Sequence, residues 1–242
     1  MIPVGRLMKA SKICKWQAVF KIVPAGVAVT DVKDLPEVRL ITGVGNNKYI
    51  TSIEITTPDL SFVEAVTYSK LMANRCIDII SYIVGHGVSY SLGQITEIGP
   101  SGTVKEGHAF CGVDTLLARP QNVDITRASF SDVLQNKNSK LARQLSHYRR
   151  GIASPDIIEQ IREFYLVLED EYPSNHPFLQ KYRYVRNLVS HAELDTERSV
   201  EEAKKIVGKA YLDPSAPEDM DALQTHLNEI KYEAERVIKS KI

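Results

Sequence analysis

A change in hydrophobic periodicity near residue 131 constrains the fold of this chain more than any other feature. Before that point, short segments rich in Val, Ile, Tyr and Thr partly alternate between apolar and polar residues, which is typical of β-strands. After it, apolar residues recur every three or four positions, which is the period of amphipathic helices. The sequence therefore predicts an α+β domain over residues 1–126, followed by an all-α bundle of four to five helices over residues 127–242.

The N-terminal region combines strand-like segments with one long helical segment. Ser61 and Glu64 have the spacing of a capping box, which predicts that a helix begins there and runs to about Ile83. A glycine at position 85 is expected to end it. The strand-like segments are Trp16–Val23, Glu37–Val44, Tyr49–Thr56 and Val88–Ile98.

Cap and breaker residues divide the C-terminal region into helices. Strand signals stop at about Ser131, and one helix that ends near Gly151 is expected to carry Leu134, Leu141, Leu145 and Tyr148. Ser154 followed by Pro155 predicts the start of the next helix, because serine caps a helix and proline suits its first position. The last helix is expected to open near Ser215 and to bury one apolar stripe: Leu223, Leu227, Ile230, Ala234 and Val237.

Charge and cysteine content exclude some classes of protein. The chain has 242 residues, with 30 Lys plus Arg against 30 Asp plus Glu, so no global field draws it to nucleic acid or to membranes. Its three cysteines have neither metal-ligand spacing nor a disulfide framework, which favours a reducing, cytoplasmic location. No secretory signal or membrane span is expected, and the sequence offers no credible site for a metal or cofactor.

One motif carries residues suited to phosphate chemistry: Arg186-Asn187-Leu188-Val189-Ser190-His191, late in a helix predicted over Pro177–Glu193. At about 100° per residue, Asn187 and His191 share the face opposite the apolar stripe, and Arg186 lies at the edge of that stripe. Arginine binds phosphate oxygens and histidine moves protons near neutral pH, so the trio suits a phosphodiester. The alternative is that Asn187 and His191 are solvated residues on an outer face.

This motif in a helical bundle resembles the HEPN superfamily (higher eukaryotes and prokaryotes nucleotide-binding domains), whose pattern is Arg, four to six residues and His, often with a polar residue after the Arg. The resemblance covers roughly residues 131–242. The whole chain more weakly resembles methylamine-utilisation accessory proteins. The HEPN resemblance implies that Arg186 neutralises the scissile phosphate, that His191 is a general acid or base, and that Asn187 orients His191 or binds phosphate.

The same resemblance implies an activity and a partner. Many HEPN proteins are metal-independent endoribonucleases that leave 2′,3′-cyclic phosphate ends and act as dimers whose two motifs face one cleft. We therefore expect RNA as substrate, a homodimer formed through the C-terminal helical domain, and a role such as toxin or defence effector. The alternative is a non-catalytic HEPN module that dimerises or binds nucleotides or RNA, with the α+β region recognising a partner.

A basic stripe on the first predicted helix of the bundle has two interpretations. Lys140, Arg143, His147 and Arg150 recur at steps of three and four residues, which predicts RNA binding through phosphate contacts. The alternative is a solvated helix face whose cations pair with nearby acids. Those acids are Glu163, Glu169, Asp170 and Glu171.

Overall fold

The chain divides into a unit built on a sheet and a unit built of helices. The structure, a computed structural model, describes residues 13–23, 27–30, 35–43, 49–99, 104–109, 125–126, 130, 133–190, 200–201, 204–205, 208–209 and 216–242. For four of these segments it describes the backbone alone: residues 27–30, 104–109, 125–126 and 187–190. One unit comprises Met1–Val84 with Val88–Leu134, and the other comprises Gly85–Gly87 with Gln135–Ile242. The predicted layout, a region of sheet and helix followed by a helical region, is confirmed.

The first unit is built on a sheet. Among the described residues its seven strands have the order β6-β5-β1-β4-β2-β7, with β3 also paired to β4. Ile50 of β4 pairs with Val27 of β2 and with Thr42 of β3, so these two strands lie on opposite edges of β4. The strands are β1 (Lys15–Val23), β2 (Val27–Thr30), β3 (Val38–Thr42), β4 (Tyr49–Thr56), β5 (Ser89–Ile98), β6 (Val104–Ala109) and β7 (Ile125–Thr126).

One long helix, α1 (Phe62–Val84), packs against β1, β4 and β5. The predicted capping interaction is confirmed: the Glu64 carboxylate accepts hydrogen bonds from the Ser61 N–H at 3.0 Å and from its hydroxyl at 2.6 Å. Gly85 follows the helix with φ of 72°, a left-handed conformation that glycine adopts without strain. Side chains of α1 that are fully buried include Ser69, Ala73, Cys76, Ile77 and Ile80.

The helical unit is organised around one central helix. That helix, α3, packs against α2, α4 and α5. Gly151 allows α2 to approach α3 closely, because a Cβ at this position would lie 2.8 Å from the Phe164 ring. The helices are α2 (Ser139–Ala153), α3 (Ile157–Glu169), α4 (Pro177–Ser190) and α5 (Pro217–Lys239).

Two predictions about helix bounds are wrong. The single helix predicted to carry both Leu134 and Leu141 is interrupted, because residues 133–135 are helical, residues 136–138 are not, and a new helix begins at Ser139 behind the Asn138 cap. The predicted cap at Ser154 is also displaced, since Asp156 is the N-cap of α3 and accepts a hydrogen bond from the Ile158 N–H at 2.9 Å. In both places an Asx residue is the N-cap: Asn138 for α2 and Asp156 for α3.

Helix α5 buries the apolar stripe that the sequence predicts. It begins at Pro217 behind Ala216, and the predicted opening at Ser215 lies outside the described residues. Three tyrosines of the helical unit donate hydrogen bonds from their hydroxyls to glutamate carboxylates of α5, which adds polar contacts to an apolar interface. The donor and acceptor pairs are Tyr148 with Glu235, Tyr172 with Glu233, and Tyr182 with Glu229. All five predicted stripe residues are buried: Leu223, Leu227, Ile230, Ala234 and Val237.

Within the described part of the chain, no helix has the length and apolar composition that crossing a membrane requires.

Candidate functional site

Arg186 rests on a buried aromatic ring near the end of α4. Its guanidinium carbon Cζ lies 4.6 Å from the centroid of the Tyr165 ring on α3. The Tyr165 side chain is fully buried at 0% exposure, so the ring is a fixed support. The N–H groups of a guanidinium lie in its own plane, so a ring against one face leaves the directions in which they bind phosphate clear of that ring. The contact therefore restricts the orientation of the cation that the motif contributes.

The local sequence explains why Arg186 takes this position. Leu179, Tyr182 and Val185 are buried and form the apolar side of α4. Arg186 directly follows Val185, so the helical period puts it at the edge of that side. Its half-buried side chain lies there, against α3. The predicted place of Arg186 at the edge of the apolar stripe is thus confirmed.

The other two residues of the motif are described only in part. The backbone of Asn187 belongs to α4. Its side chain, and His191 altogether, lie outside the described residues. Of the three residues predicted to be catalytic, the structure therefore gives side-chain geometry for Arg186, and the roles of all three stay predictions.

The hydroxyl of Tyr165 is a buried polar group without a hydrogen-bond partner among the described residues. A buried hydroxyl in that state costs free energy, about 1–3 kcal/mol. The burial of Tyr165 follows from its helical spacing to Ile161 and Leu168, which are also buried. Its role as the support of Arg186 could not be predicted, because the two residues lie on different helices.

One turn before Arg186, a polar network connects α4 to α5. Tyr182 donates a hydrogen bond to Glu229, and the Lys181 Nζ donates a second to the same carboxylate at 2.7 Å. These two hydrogen bonds lower the pKa of Glu229. Burial raises the pKa of Tyr182, as does its hydrogen bond to Glu229, so the hydroxyl stays protonated and remains a donor. His226 lies edge-on to the Tyr182 ring, and burial lowers its pKa.

Every residue of the predicted RNA-binding stripe on α2 lies against an acidic side chain. Arg143 contacts Asp170 at 2.5 Å, and Lys140 contacts Glu171 at 2.9 Å. These are ion pairs that the alternative interpretation expects, and they offset negative charge at the C-terminal end of α3, where the helix dipole disfavours it. The role of the stripe in binding RNA stays a prediction, but its cations are largely neutralised by acidic side chains of α3 and of the two residues that follow it.

The other two residues of the stripe share one buried carboxylate. Glu163, 8% exposed, lies 2.7 Å from His147 Nδ1 and 3.1 Å from Arg150 Nε. The Arg150 Nη2 atom also lies 2.7 Å from the same ring nitrogen. His147 Nδ1 carries a hydrogen when it donates to Glu163, and it accepts when Arg150 donates to it, so the tautomer decides which of the two bonds forms. The cluster holds α2 and α3 together.

Comparison of the chain with known protein families, with curated proteins and with solved structures found no match. Among the described residues, no group of three or more His, Cys, Asp or Glu side chains is placed to hold a metal ion.

Proposed function

We propose that this protein is a HEPN-type, metal-independent endoribonuclease that acts as a homodimer through its helical unit. The observation that supports the proposal is the Arg186–Tyr165 stack, which holds the arginine of the Arg-Asn-x-x-x-His motif against the helical core. A cation held in advance stabilises charge in a transition state without the cost of reorganising. The proposed setting is the cytoplasm, and the proposed biological role is that of a toxin or defence effector.

The proposed reaction uses the ribose next to the scissile phosphate. His191 takes the proton of the 2′-hydroxyl, the 2′-oxygen attacks phosphorus, and the bond from phosphorus to the 5′-oxygen breaks. The partner subunit's His191 gives a proton to that leaving oxygen. Arg186 binds the phosphate oxygens as negative charge builds on them, and Asn187 orients the histidine or binds phosphate. The products are a 2′,3′-cyclic phosphate and a 5′-hydroxyl.

The test measures RNA cleavage by the purified protein in the presence of a metal chelator, and it compares wild type with Arg186→Ala and His191→Ala. We expect wild type to leave cyclic-phosphate ends and both variants to lose at least about a hundredfold in rate. Arg162→Ala is the matched control, because Arg162 is an exposed arginine on α3 that, among the described residues, pairs with Glu159 one turn away. Cleavage that persists in both motif variants would contradict the proposal.

The second candidate is a non-catalytic HEPN module that dimerises or binds nucleotide or RNA. The ion pairs between α2 and α3 favour it, because they leave little unpaired positive charge along the predicted stripe. RNA cleavage separates the two candidates, and sedimentation of the same wild-type sample establishes whether it is a dimer. A dimer that cleaves no RNA across a broad panel supports the module, and a dimer that cleaves supports the nuclease.

A further inference from the structure

Helix α4 carries positive charge without any acidic residue. Its sequence, Pro177 to Ser190, contains Lys181, Arg183 and Arg186 and neither Asp nor Glu. Lys181 is neutralised across the interface by Glu229. Arg183 and Arg186 are the other two cations of α4, and Arg186 belongs to the motif.

Arg183 differs from the other arginines of the neighbouring helices. It forms no hydrogen bond and no ion pair with the residues that the structure describes, although its side chain is half-buried. A guanidinium that loses part of its hydration without gaining a carboxylate is poised to accept an anion. The basic residues of α2 and α3 that do pair with carboxylates are Lys140, Arg143, Arg150 and Arg162.

Helical geometry puts Arg183 on the face that carries the motif. It precedes Arg186 by three residues and Asn187 by four, so around the axis it lies about 60° from the first and about 40° from the second. Along the axis it precedes Arg186 by about 4.5 Å. Arginine side chains are long and flexible, so two of them one helical turn apart can reach separate phosphates of one strand.

We propose that Arg183 binds a phosphate of the RNA strand next to the phosphate held by Arg186, an inference that rests on the proposed function. Together the two arginines set the register of a single strand along α4. Arg183 is then a substrate-binding residue, and it contributes to affinity regardless of base sequence, because a phosphate contact carries no sequence information.

The test is binding of a short single-stranded RNA with 2′-O-methyl riboses, which lacks a free 2′-hydroxyl and so cannot be cleaved by the proposed route. Fluorescence anisotropy measures its Kd from about 50 to about 200 mM KCl for wild type, Arg183→Gln and Arg183→Lys. Arg162→Gln is the control, because it removes the same charge from an exposed site on α3. Circular dichroism checks the fold of each variant.

We expect Arg183→Gln to weaken binding about tenfold and to reduce the slope of log K against log salt by about 0.7, the value for one phosphate contact on a single strand. Arg183→Lys should retain the slope, and Arg162→Gln should match wild type. Equal Kd and slope for Arg183→Gln and wild type would overturn the inference while leaving the nuclease proposal standing. If binding depends on Arg183 but the protein cleaves no RNA, the contact between Arg183 and phosphate is supported and the nuclease proposal is overturned. If the wild-type protein does not bind this RNA, only the contact between Arg183 and phosphate is overturned.

Discussion

The contact between Arg186 and Tyr165 combines two opposed effects in one aromatic residue. The ring stabilises the guanidinium above it, by roughly 0.5–2 kcal/mol for a cation–π contact of this kind. The hydroxyl of the same ring is buried without a partner among the described residues, which is unfavourable. The two effects reside in different atoms, so substitution can separate them.

Replacing Tyr165 tests this separation. Tyr165→Phe keeps the ring and removes the unpartnered hydroxyl, so we expect its Tm to equal or exceed that of wild type, with RNA cleavage retained. Tyr165→Leu removes the support of Arg186, and kcat should fall by about tenfold or more because a cation that is less well held stabilises the transition state less. Thermal unfolding and steady-state kinetics provide the measurements. Loss of cleavage in Tyr165→Phe at unchanged Tm would instead assign the hydroxyl to the reaction.

At the scale of elements, α2 and α3 are joined by a row of charges as well as by apolar packing. The row ends at Glu171, just beyond α3, which accepts hydrogen bonds from Lys140, Gln144 and Lys241. Burial tends to raise the pKa of this carboxyl, but these hydrogen bonds outweigh it and lower the pKa from 4.5 to about 2. The ionised form is therefore favoured in the folded state.

This pKa predicts how stability depends on pH. The folded-state pKa of Glu171 is below its unfolded value, so its contribution is fully present above about pH 4.5 and is lost as the pH falls toward 2. Glu171→Gln should therefore have a lower Tm than wild type at pH 6, and the difference should disappear between pH 4.5 and 2. Glu169→Gln, an exposed neighbour on α3, is the control. A Tm difference that is constant across this range would contradict the assignment.

Helices and buried helix faces that depend on the spacing of nearby residues could be predicted from the sequence, whereas contacts between residues distant in the sequence could not. The buried stripe of α5 follows from spacing alone, and all five of its predicted members are buried. The start of α3 was misplaced because Ser154 and Asp156 are both good caps two residues apart, and propensity does not choose between them. Strand β2 has four residues, too few to show a period.

For the candidate site the same limit applies. The position of Arg186 at the edge of the apolar side of α4 follows from the helical period, and it is confirmed. The ring beneath it comes from another helix, and nothing in the order of residues pairs position 186 with position 165. The free cation at Arg183 could have been noticed from its spacing to the motif, but its lack of a carboxylate partner among the described residues is a tertiary property.

At the scale of the whole molecule, each unit has its own core. In the helical unit the buried apolar side chains of α2 to α5 lie between Leu141 and Ile238. Most of them contact residues within the same stretch, so the free energy of burial belongs largely to this unit. The chain therefore has two separately organised folding regions.

A fragment of residues 135–242 tests this independence. We expect it to show helical circular dichroism and a cooperative thermal transition, because it contains the buried apolar side chains of α2 to α5. The same fragment with Ile161→Asp should lose the transition, since Ile161 is fully buried on α3 and a carboxylate there has no partner. Helical signal that melts without cooperativity in the unsubstituted fragment would show that the helical unit needs the rest of the chain.

The tyrosine hydrogen bonds to α5 have a consequence for the order of events on the ribosome. Tyr148, Tyr172 and Tyr182 are synthesised before the glutamates that accept from them. Until α5 emerges, these hydroxyls lack their glutamate acceptors, and the surfaces of α2 and α3 that pack against α5 remain exposed. Helix α3, which carries the ring beneath Arg186, therefore gains its packing against α5 only after that helix has been translated. A nascent chain that stops short of Pro217 would expose these surfaces to chaperones and proteases rather than present a formed site.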